Sequence, residues 1–479
     1  MPCFCAPRRG PRPTSGITHS LRDRPRTMVD RGSIRPPRRA APSPAKIIAL
    51  YFVSAIAVGT LLLWLPISHA PGAEIGLLEA LFTATSALCV TGLVVVDTAT
   101  AWSIFGKVVI MLLIQVGGLG IVTLGTLVAL LLGRRVGFRE RLRAAAQVNA
   151  LQTGGIVKLV RTIFLISLGF EAVGALLLYP TFAALHGPGM GAFYAFFHAV
   201  SAFNNAGFAL YSENLTGFVR DPTVNLVLAA LFITGGLGFL VHLNLWARLR
   251  HGSHFQLTLQ SRFVLLTSLG LGLLGWVAVC LFEWTNPQTL GALPWPSRLL
   301  AGFFQGVTPR TAGFNTLDYA QVREPTLLVT MALMFIGGSP GSTAGGIKTV
   351  TFAVLAASAW SMVRGRGELT AFGRRVTTET VVKAGSVALL SLGIVFGAML
   401  LLSISETVPL VPLMFEAFSA FGTVGLSLNL TPELSAPGQL IVTLLMYLGR
   451  IGPLTFAVAL VQEPRDSPIT YPDEGVMIG

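Results

Sequence analysis

Charge is scarce in this sequence. Charged residues make up 11% of the 479 residues, whereas a soluble globular domain carries about 25%. Hydrophobic residues make up 53%, and the mean hydropathy is +0.70. This composition excludes an ordinary soluble domain. Apolar runs of about 20 residues, the length that crosses a bilayer as a helix, recur along the chain, so the sequence predicts an all-α integral membrane protein.

Cysteine and histidine are also few, and neither forms a pattern that supports chemistry. Two of the four cysteines lie in the N-terminal tail and two at membrane depth, so no disulfide framework follows. The seven histidines show no metal-ligand spacing on one helix face, and no nucleophile, base and acid fall into one group. His198 is expected to be packed within a short helix. The sequence predicts that the protein is not an enzyme.

The basic residues are unevenly distributed. Residues 1–46 hold eleven Lys or Arg against two Asp, which accounts for +9 of the net charge of +13. We interpret residues 1–45 as a basic, disordered leader, with weak attraction to anionic lipid as the alternative. The loops 133–161, 245–262 and 361–383 carry fifteen Lys and Arg, against three in the segments on the other side. The positive-inside rule then predicts a multi-pass protein of the inner or plasma membrane with both termini in the cytoplasm.

Eight runs are long enough to span the membrane, at residues 47–67, 104–132, 160–184, 224–247, 263–284, 325–360, 384–404 and 437–461. Shorter, half-hydrophobic stretches lie between them at residues 77–97, 192–210, 299–318 and 412–428, and each includes a turn of small residues. With about a dozen helical residues, each is too short to cross the bilayer. We expect each to enter the membrane as a short helix and return as an extended, re-entrant loop.

Glycines mark a fourfold internal repeat. The central glycines of the turns, Gly92, Gly207, Gly313 and Gly425, are 115, 106 and 112 residues apart, and a second glycine follows each after 26, 29, 25 and 24 residues. The second set is Gly118, Gly236, Gly338 and Gly449. The two sets of glycines recur in step, which predicts four parallel repeats in a pseudo-fourfold arrangement. Each repeat would consist of a first spanning helix (M1), a short pore helix and a second spanning helix (M2). The predicted repeats are residues 46–135, 136–250, 251–365 and 366–479, the last including the C-terminal tail.

Four such loops converging on one axis would surround a pore. Non-helical backbone at membrane depth is tolerated only around water or protein, and the negative ends of the short helices would point towards the axis. Carbonyl oxygens in a tight ring suit a monovalent cation such as K⁺, and none of the four turns carries the carboxylates that a divalent site requires. For the intramembrane Glu79, Glu171 and Glu416 we favour structural pairing or helix anchoring over tuning of the pore potential.

Several motifs together resemble the Trk/Ktr/HKT superfamily of potassium transporters, and in particular its KtrB-type membrane subunits. They are "TSALCVTGLVVVDT", "SAFNNAGF", "TPRTAGFNT", "SAFGTVGLS", "GGSPGSTAGGIKT", "LGRIGPLT" and the ending "YPDEGVMIG". The resemblance covers residues 45–479. It implies a K⁺ selectivity filter formed by Val90, Thr91, Gly92, Asn205, Ala206, Gly207, Thr311, Ala312, Gly313, Thr423, Val424 and Gly425. One glycine per loop implies a short, less exclusive filter, through which Na⁺ leakage is plausible.

The span predicted at 325–360 is interrupted by a segment that cannot stay helical. The resemblance implies that this segment is an intramembrane gate below the filter, formed by Gly337, Gly338, Ser339, Pro340, Gly341, Ser342, Thr343, Ala344, Gly345 and Gly346. Arg450 is predicted to repel K⁺ in the path or to pair with the carbonyls of this segment when it is closed. The alternatives are a static kink for the segment and a fixed ion pair for Arg450. The segment nearly matches a phosphate-binding loop, but Ile347 separates the required glycine and lysine.

The resemblance also implies partners and a function. It implies a homodimer on a cytosolic ring of RCK-type, KtrA-like regulatory subunits, which would dock on the basic loops 134–143 and 364–375. Because this chain has no dinucleotide-binding fingerprint, any nucleotide would act through that partner, and we expect no cofactor in this chain and no nucleic-acid partner. The predicted function is K⁺ uptake, with Na⁺ as a candidate activator. The alternative is a Na⁺-coupled or Na⁺-translocating symporter, although parallel repeats favour a pore over the inverted repeats of many symporters.

Overall fold

The computed structural model describes residues 44–132, 155–252, 256–365 and 369–452; the side chains of residues 44–45, 121–132 and 155–160 are not described. The leader as far as residue 43, the basic loop 134–143 and the C-terminal ending therefore lie outside the described residues. The regular secondary structure of the described residues consists of helices and one small hairpin, in which β1 (Thr370–Ala371) pairs with β2 (Arg374–Arg375) in antiparallel register. This confirms the predicted all-α class.

The helices follow one another as α1 (Pro44–Trp64), α2 (Leu77–Cys89), α3 (Ile104–Leu132), α4 (Gly155–Phe203), α5 (Pro222–Leu237), α6 (Phe239–His251), α7 (Leu259–Glu283), α8 (Trp295–Val307), α9 (Glu324–Phe335), α10 (Thr349–Val363), α11 (Thr378–Ser405), α12 (Leu410–Gly422) and α13 (Ala436–Ile451). Several begin with a cap that satisfies their first amides. Asp221 accepts from the amides of Thr223 and Val224 at the start of α5, and Ser435 accepts from that of Gly438 in α13.

Among the described residues, α1, α4, α7 and α11 contain stretches long and apolar enough to cross a membrane, and α5 with α6 adds a fifth crossing if this bent pair is one span. Eight continuous spans are therefore not confirmed. The predicted span 224–247 bends by 99° at Gly238, whose φ is +89°. The span 325–360 is split into α9 and α10 by residues 336–348. Both breaks contain glycines with positive φ, a backbone conformation that glycine adopts without strain because it has no Cβ.

The second short helix is not separated from the preceding span by a loop. Instead α4 runs from Gly155 to Phe203, and its only non-helical residue is Gly187, with φ +77° and ψ 168°. Glycine adopts this positive φ without strain, and Pro188 follows it at a position where a helix starts readily. The predicted segments 160–184 and 192–210 therefore correspond to two helices joined at a sharp bend.

Burial is inverted relative to a soluble protein. In the four long spans only 22–28% of the most apolar window is buried inside the protein, because their outer faces meet lipid. The short helices α2, α8 and α12 are buried over most of their length, and they carry polar groups inwards, such as Thr83, Gln305 and Glu416. The core therefore surrounds the ends of the short helices and the turns that follow them.

Candidate functional site

The turns after the four short helices share one backbone pattern. Val90, Asn205, Thr311 and Thr423 have φ of 59°, 61°, 72° and 49°. Two residues later, Gly92, Gly207, Gly313 and Gly425 have φ of 95°, 70°, 76° and 96°. Positive φ is uncommon for residues other than glycine, and it persists only where the surroundings impose it. The four stretches around the central glycines therefore adopt the same strained turn.

The four turns meet in a closed cycle. A Cβ placed on Gly92 would overlap the carbonyl oxygen of Ala206, and one on Gly207 would lie 3.1 Å from that of Ala312. A Cβ on Gly313 would overlap the oxygen of Val424, and one on Gly425 would overlap that of Thr91, which returns to the first turn. The sequence-predicted glycines are thus brought face to face, and any side chain at these positions would collide with a neighbouring turn.

The amides of the turns are bound within their own repeat. Thr91, Ala206 and Val424 donate their N–H groups to the carbonyl oxygens of Ser86, Ser201 and Ser419 at 2.7–2.9 Å, and Ala312 donates to that of Thr308 at 2.9 Å. By contrast, the carbonyl oxygens of Thr91, Ala206, Ala312 and Val424 accept no hydrogen bond from the described residues. The arrangement leaves four unpaired carbonyl oxygens on one cycle, beside the negative ends of four helices.

Hydroxyl groups that sequence analysis missed fasten each turn. The Oγ atoms of Ser86 and Ser419 accept hydrogen bonds from the amides of Gly92 and Gly425 at 3.0 and 3.1 Å. Ser201 Oγ donates to the carbonyl oxygen of Phe208 at 2.8 Å, and Thr308 Oγ1 donates to that of Phe314 at 2.5 Å. A hydroxyl six residues before the central glycine, or five in the third repeat, was the signal that could have identified them.

Two of the carboxylates considered in the sequence analysis, Glu171 and Glu416, are engaged in hydrogen bonds behind the turns. Glu171 on α4 accepts from Gln115 Nε2 at 3.0 Å and from Asn204 Nδ2 at 3.1 Å, next to the second turn. Glu416 on α12 accepts from the hydroxyls of Ser427, at 2.8 Å, and Thr431. Glu79 lies in the first turn of α2, where a negative charge is favoured. The contacts of Glu171 and Glu416 fit the structural-pairing interpretation.

His198 is fully buried behind the second turn. Its Nδ1 lies 2.7 Å from the carbonyl oxygen of Tyr194, and its Nε2 accepts a hydrogen bond from the amide of Leu210 at 3.2 Å. No group of three metal-ligating side chains occurs among the described residues. The packing role expected for His198 agrees with these contacts.

The segment 336–348 lies against the cycle. The Oγ1 atom of Thr343 is 3.2 Å from Oδ1 of Asn205. A Cβ on Gly337 would lie 3.2 Å from the methyl group of Thr311, and one on Gly345 would overlap the hydroxyl of Thr423. The contacts are made to the residue two positions before the central glycine in three of the four turns. Through Gly337, Thr343 and Gly345, the segment therefore lies on one side of the cycle and in direct contact with it.

Most hydrogen bonds of this segment go to other parts of the chain. The amides of Ser339 and Thr343 donate to the carbonyl oxygens of Gly236 and Gly235 at 3.0 and 3.4 Å. Arg450 on α13, only 3% exposed, donates to the carbonyl oxygen of Thr343 and, at 2.6 Å, to that of Gly117 on α3. No acidic side chain in the described ranges forms an ion pair with Arg450. Arg450 therefore bonds to one carbonyl oxygen of the segment and one of α3, and its role at a gate stays a prediction.

On the other side, the cycle opens into a pocket of about 330 Å³. Its lining includes Gly92 and Gly425 together with three acidic residues, Asp97, Glu213 and Asp318. Asp97 accepts a hydrogen bond from Ser212 Oγ at 2.6 Å, which joins the segments after the first and second turns. Burial raises the pKa of the phenol of Tyr319 in the same lining. The negative charge of the acidic groups favours cations at this mouth of the cycle.

Broken helices, buried short helices and a cycle of unpaired carbonyl oxygens define an all-α, multi-pass membrane protein with polar backbone groups at its centre. The comparison with known families identifies which one. The chain belongs to the TrkH family of cation transport proteins, whose model matches residues 35–471. This confirms the resemblance to the Trk/Ktr/HKT superfamily.

Individual relatives extend over nearly the whole chain. Ktr system potassium uptake protein B of Bacillus subtilis (strain 168) is 44% identical over 91% of this chain and 97% of its own length. The protein of the same name from Vibrio alginolyticus is 42% identical over 91% and 94%. Potassium/sodium uptake protein NtpJ of Enterococcus hirae is 37% identical over 91% and 97%. The solved structure of the potassium transporter TrkH from Vibrio parahaemolyticus shares the fold, with a TM-score of 0.70 at 18% identity, over 89% of this chain and 87% of that one.

Proposed function

We propose that the protein takes up K⁺ across the cell membrane through a central path that crosses the cycle of turns. The observation that carries the proposal is the closed cycle of four unpaired carbonyl oxygens, those of Thr91, Ala206, Ala312 and Val424. Carbonyl oxygens held in a ring replace the water that a monovalent cation loses. Relatives at 44% and 42% identity are named as potassium uptake proteins, which agrees with this substrate.

The proposed selectivity filter consists of the three residues that end at each central glycine, in four parallel repeats around the path. The middle residue of each turn donates its amide to the preceding short helix or, for Ala312, to Thr308 at the end of that helix, so the carbonyl groups have a fixed direction. The acidic pocket at Asp97, Glu213 and Asp318 supports entry of K⁺ from that side. Its position opposite the basic loops agrees with an extracellular mouth and cytoplasmic termini.

The segment 337–346 is the proposed gate, with Arg450 as its latch. The segment contacts the turns at the point where the path would leave the filter. Arg450 links the segment to α3, because it donates hydrogen bonds to the carbonyl oxygens of both Thr343 and Gly117. A guanidinium stays protonated, so in this position it also opposes a cation in the path. Opening then requires Arg450 to release the carbonyl oxygen of Thr343, and glycines on both sides of Thr343 allow the backbone to move.

We propose further that the chain acts as the ion-translocating subunit of a larger complex. In this proposal it forms a homodimer on a cytosolic ring of RCK-type regulatory subunits, which bind the controlling nucleotide. The hairpin of β1 and β2 presents Arg374 and Arg375 as exposed side chains, which supports docking of an acidic partner surface there. Two relatives named as parts of a Ktr system agree with a multi-subunit assembly.

A second candidate is Na⁺-coupled or Na⁺-translocating symport, with Na⁺ stimulation as a weaker form. It is favoured by one glycine per turn, which gives a short filter, and by the relative named as a potassium/sodium uptake protein. The two candidates differ in current. A reversal potential that follows the K⁺ gradient and ignores Na⁺ supports a K⁺ path, whereas a shift with Na⁺ supports coupling.

Flux of ⁸⁶Rb⁺ and ²²Na⁺ into proteoliposomes tests the central path. In the Gly313→Ser variant the new side chain overlaps the carbonyl oxygen of Val424, so we expect the ratio of Rb⁺ to Na⁺ flux to fall about tenfold or more, as for a loss of about 1.4 kcal/mol in discrimination. Gly270→Ser on α7 is the matched control, because nothing lies within 4 Å of a Cβ there. If Gly313→Ser leaves both fluxes as in wild type, the turns do not line the path.

A further inference from the structure

An apolar cavity of about 310 Å³ lies between α5, α7 and α8, outside the path proposed for the ion. Its volume is at the lower end of the range for small-molecule pockets, about 300–1,000 Å³. Most of the lining is hydrophobic and is contributed by Phe232, Leu265, Leu269, Leu273, Trp276 and Phe303. Water is poorly accommodated in such a site, because a water molecule needs two or more polar partners.

The cavity opens sideways towards the membrane. Leu269 and Leu273 on α7 are 60% and 46% exposed, and Ile233 on α5 is 37% exposed, although all three line the cavity. The stretch of α7 that carries these leucines is part of a membrane span. Because exposed side chains of a span face hydrocarbon, we expect lipid acyl chains at this opening.

The inner wall of the cavity belongs to the proposed gate. Gly236 and Gly338 both line it, and the amide of Ser339 donates to the carbonyl oxygen of Gly236 at 3.0 Å. Arg310, the charged residue of the lining, donates through Nη1 to the carbonyl oxygen of Ser268 at 3.1 Å and through Nη2 to that of Gly337 at 3.4 Å. Any occupant therefore packs against the point where the segment 336–348 leaves α9.

We propose that this cavity binds one acyl chain of a bilayer phospholipid, and that the bound chain stabilises the segment 336–348 in the position described. The dispersion attraction between any two atoms is small, but an acyl chain that fills an apolar void brings many atom pairs together and their energies add up. A chain bound in the cavity packs against Gly236 and thereby stabilises the hydrogen bond between Gly236 and Ser339. Its effect on transport rests on the proposed function, whereas the binding itself does not.

The binding is tested by quenching of tryptophan fluorescence in nanodiscs of phospholipid brominated in the middle of the acyl chain. The contribution of Trp276 is the difference between wild type and Trp276→Phe. We expect strong quenching of this component, and at least a twofold reduction in Gly272→Leu, because a Cβ at Gly272 meets only Val307 Cγ1, at 3.4 Å, and the added side chain enters the cavity. Gly270→Leu, two residues away in open space, is the matched control.

Several outcomes would overturn the site. An unquenched Trp276 component means that a second copy of the chain or another helix covers the opening. Equal quenching in Gly272→Leu and wild type means that the lipid contacts Trp276 from outside the cavity.

The coupling between the bound chain and transport is tested by ⁸⁶Rb⁺ flux in lipids of different acyl length. We expect flux through wild type and Gly270→Leu to change at least twofold with acyl length, and flux through Gly272→Leu not to change. If flux ignores acyl length in all three, the coupling is wrong, while the K⁺ path is still tested separately by Gly313→Ser.

Discussion

The turns after the short helices and the segment 336–348 are both irregular backbone at membrane depth, but they are held in opposite ways. Each turn binds its amides to the helix that precedes it, with a hydroxyl from the same helix as a clamp. The segment 336–348 depends mainly on Gly235, Gly236 and Arg450, which belong to other helices. A turn whose hydrogen bonds lie within its own repeat is suited to a fixed geometry. A segment whose hydrogen bonds go to other helices can be released when those helices move.

Arg450→Gln tests this contrast most strongly, because it removes the charged donor to Thr343 and Gly117. Hydrogen bonds to charged groups contribute about 1.5–3 kcal/mol, and 1.4 kcal/mol is about a factor of ten. We expect unregulated ⁸⁶Rb⁺ flux into proteoliposomes to rise about tenfold or more, with the Rb⁺ to Na⁺ ratio unchanged. Arg161→Gln, an exposed arginine on α4, is the control. Unchanged or lower flux from a monodisperse Arg450→Gln protein would show that Arg450 is not a latch.

Ser419→Ala weakens the fourth turn instead of the segment 336–348, because the amide of Gly425 loses its hydrogen-bond acceptor. A buried donor left without a partner costs about 1–3 kcal/mol. We expect selectivity for Rb⁺ over Na⁺ to fall by roughly three- to tenfold, measured by paired isotope uptake, without the rise in Rb⁺ flux expected for Arg450→Gln. Ser386→Ala on α11 removes an exposed hydroxyl that bonds only within its own helix, to the carbonyl oxygen of Val382, and should leave selectivity as in wild type. An equally large loss of selectivity in Ser386→Ala would contradict the proposal that the Ser419 hydroxyl fixes the geometry of the fourth turn.

Thr343→Val examines the contact between the two regions and has the smallest expected effect. Valine keeps the shape but removes the hydroxyl that lies 3.3 Å from the carbonyl oxygen of Phe203 and 3.2 Å from Oδ1 of Asn205. A neutral hydrogen bond contributes about 1 kcal/mol, so we expect Rb⁺ flux to rise by about two- to fivefold. Double-mutant analysis with Arg450→Gln should give non-additive effects, since both act on one segment. Strict additivity would mean that Thr343 and Arg450 act independently.

Sequence periodicity predicted the elements that depend on local chemistry. The spacing of Gly92, Gly207, Gly313 and Gly425 identified four positions that the fold brings together, because a central glycine can be recognised without knowing its neighbours. The Gly-rich break at 337–346 was equally visible. Their roles as filter and gate are still predictions.

Features that depend on distant contacts could not be predicted. Arg450 was expected to meet the carbonyls of the segment, but its second acceptor, Gly117, is 333 residues away. The continuity of α4 across Gly187 and the 99° bend at Gly238 depend on how neighbouring helices pack. Eight spans were predicted because hydropathy averages over such breaks. The Glu171–Gln115–Asn204 network joins α3, α4 and the turn that follows α4, and no window of sequence contains it.

A cycle made by one polypeptide need not be symmetrical. In an assembly of four identical chains, any insertion near the axis would occur four times, and four copies would compete for the same central space. Among the described residues, the long irregular segment 336–348 lies in the third quarter of the chain, and Arg450, which bonds to it, lies in the fourth. In the proposed fourfold arrangement, a single chain can therefore carry one gating segment, and each quarter can change without altering the other three.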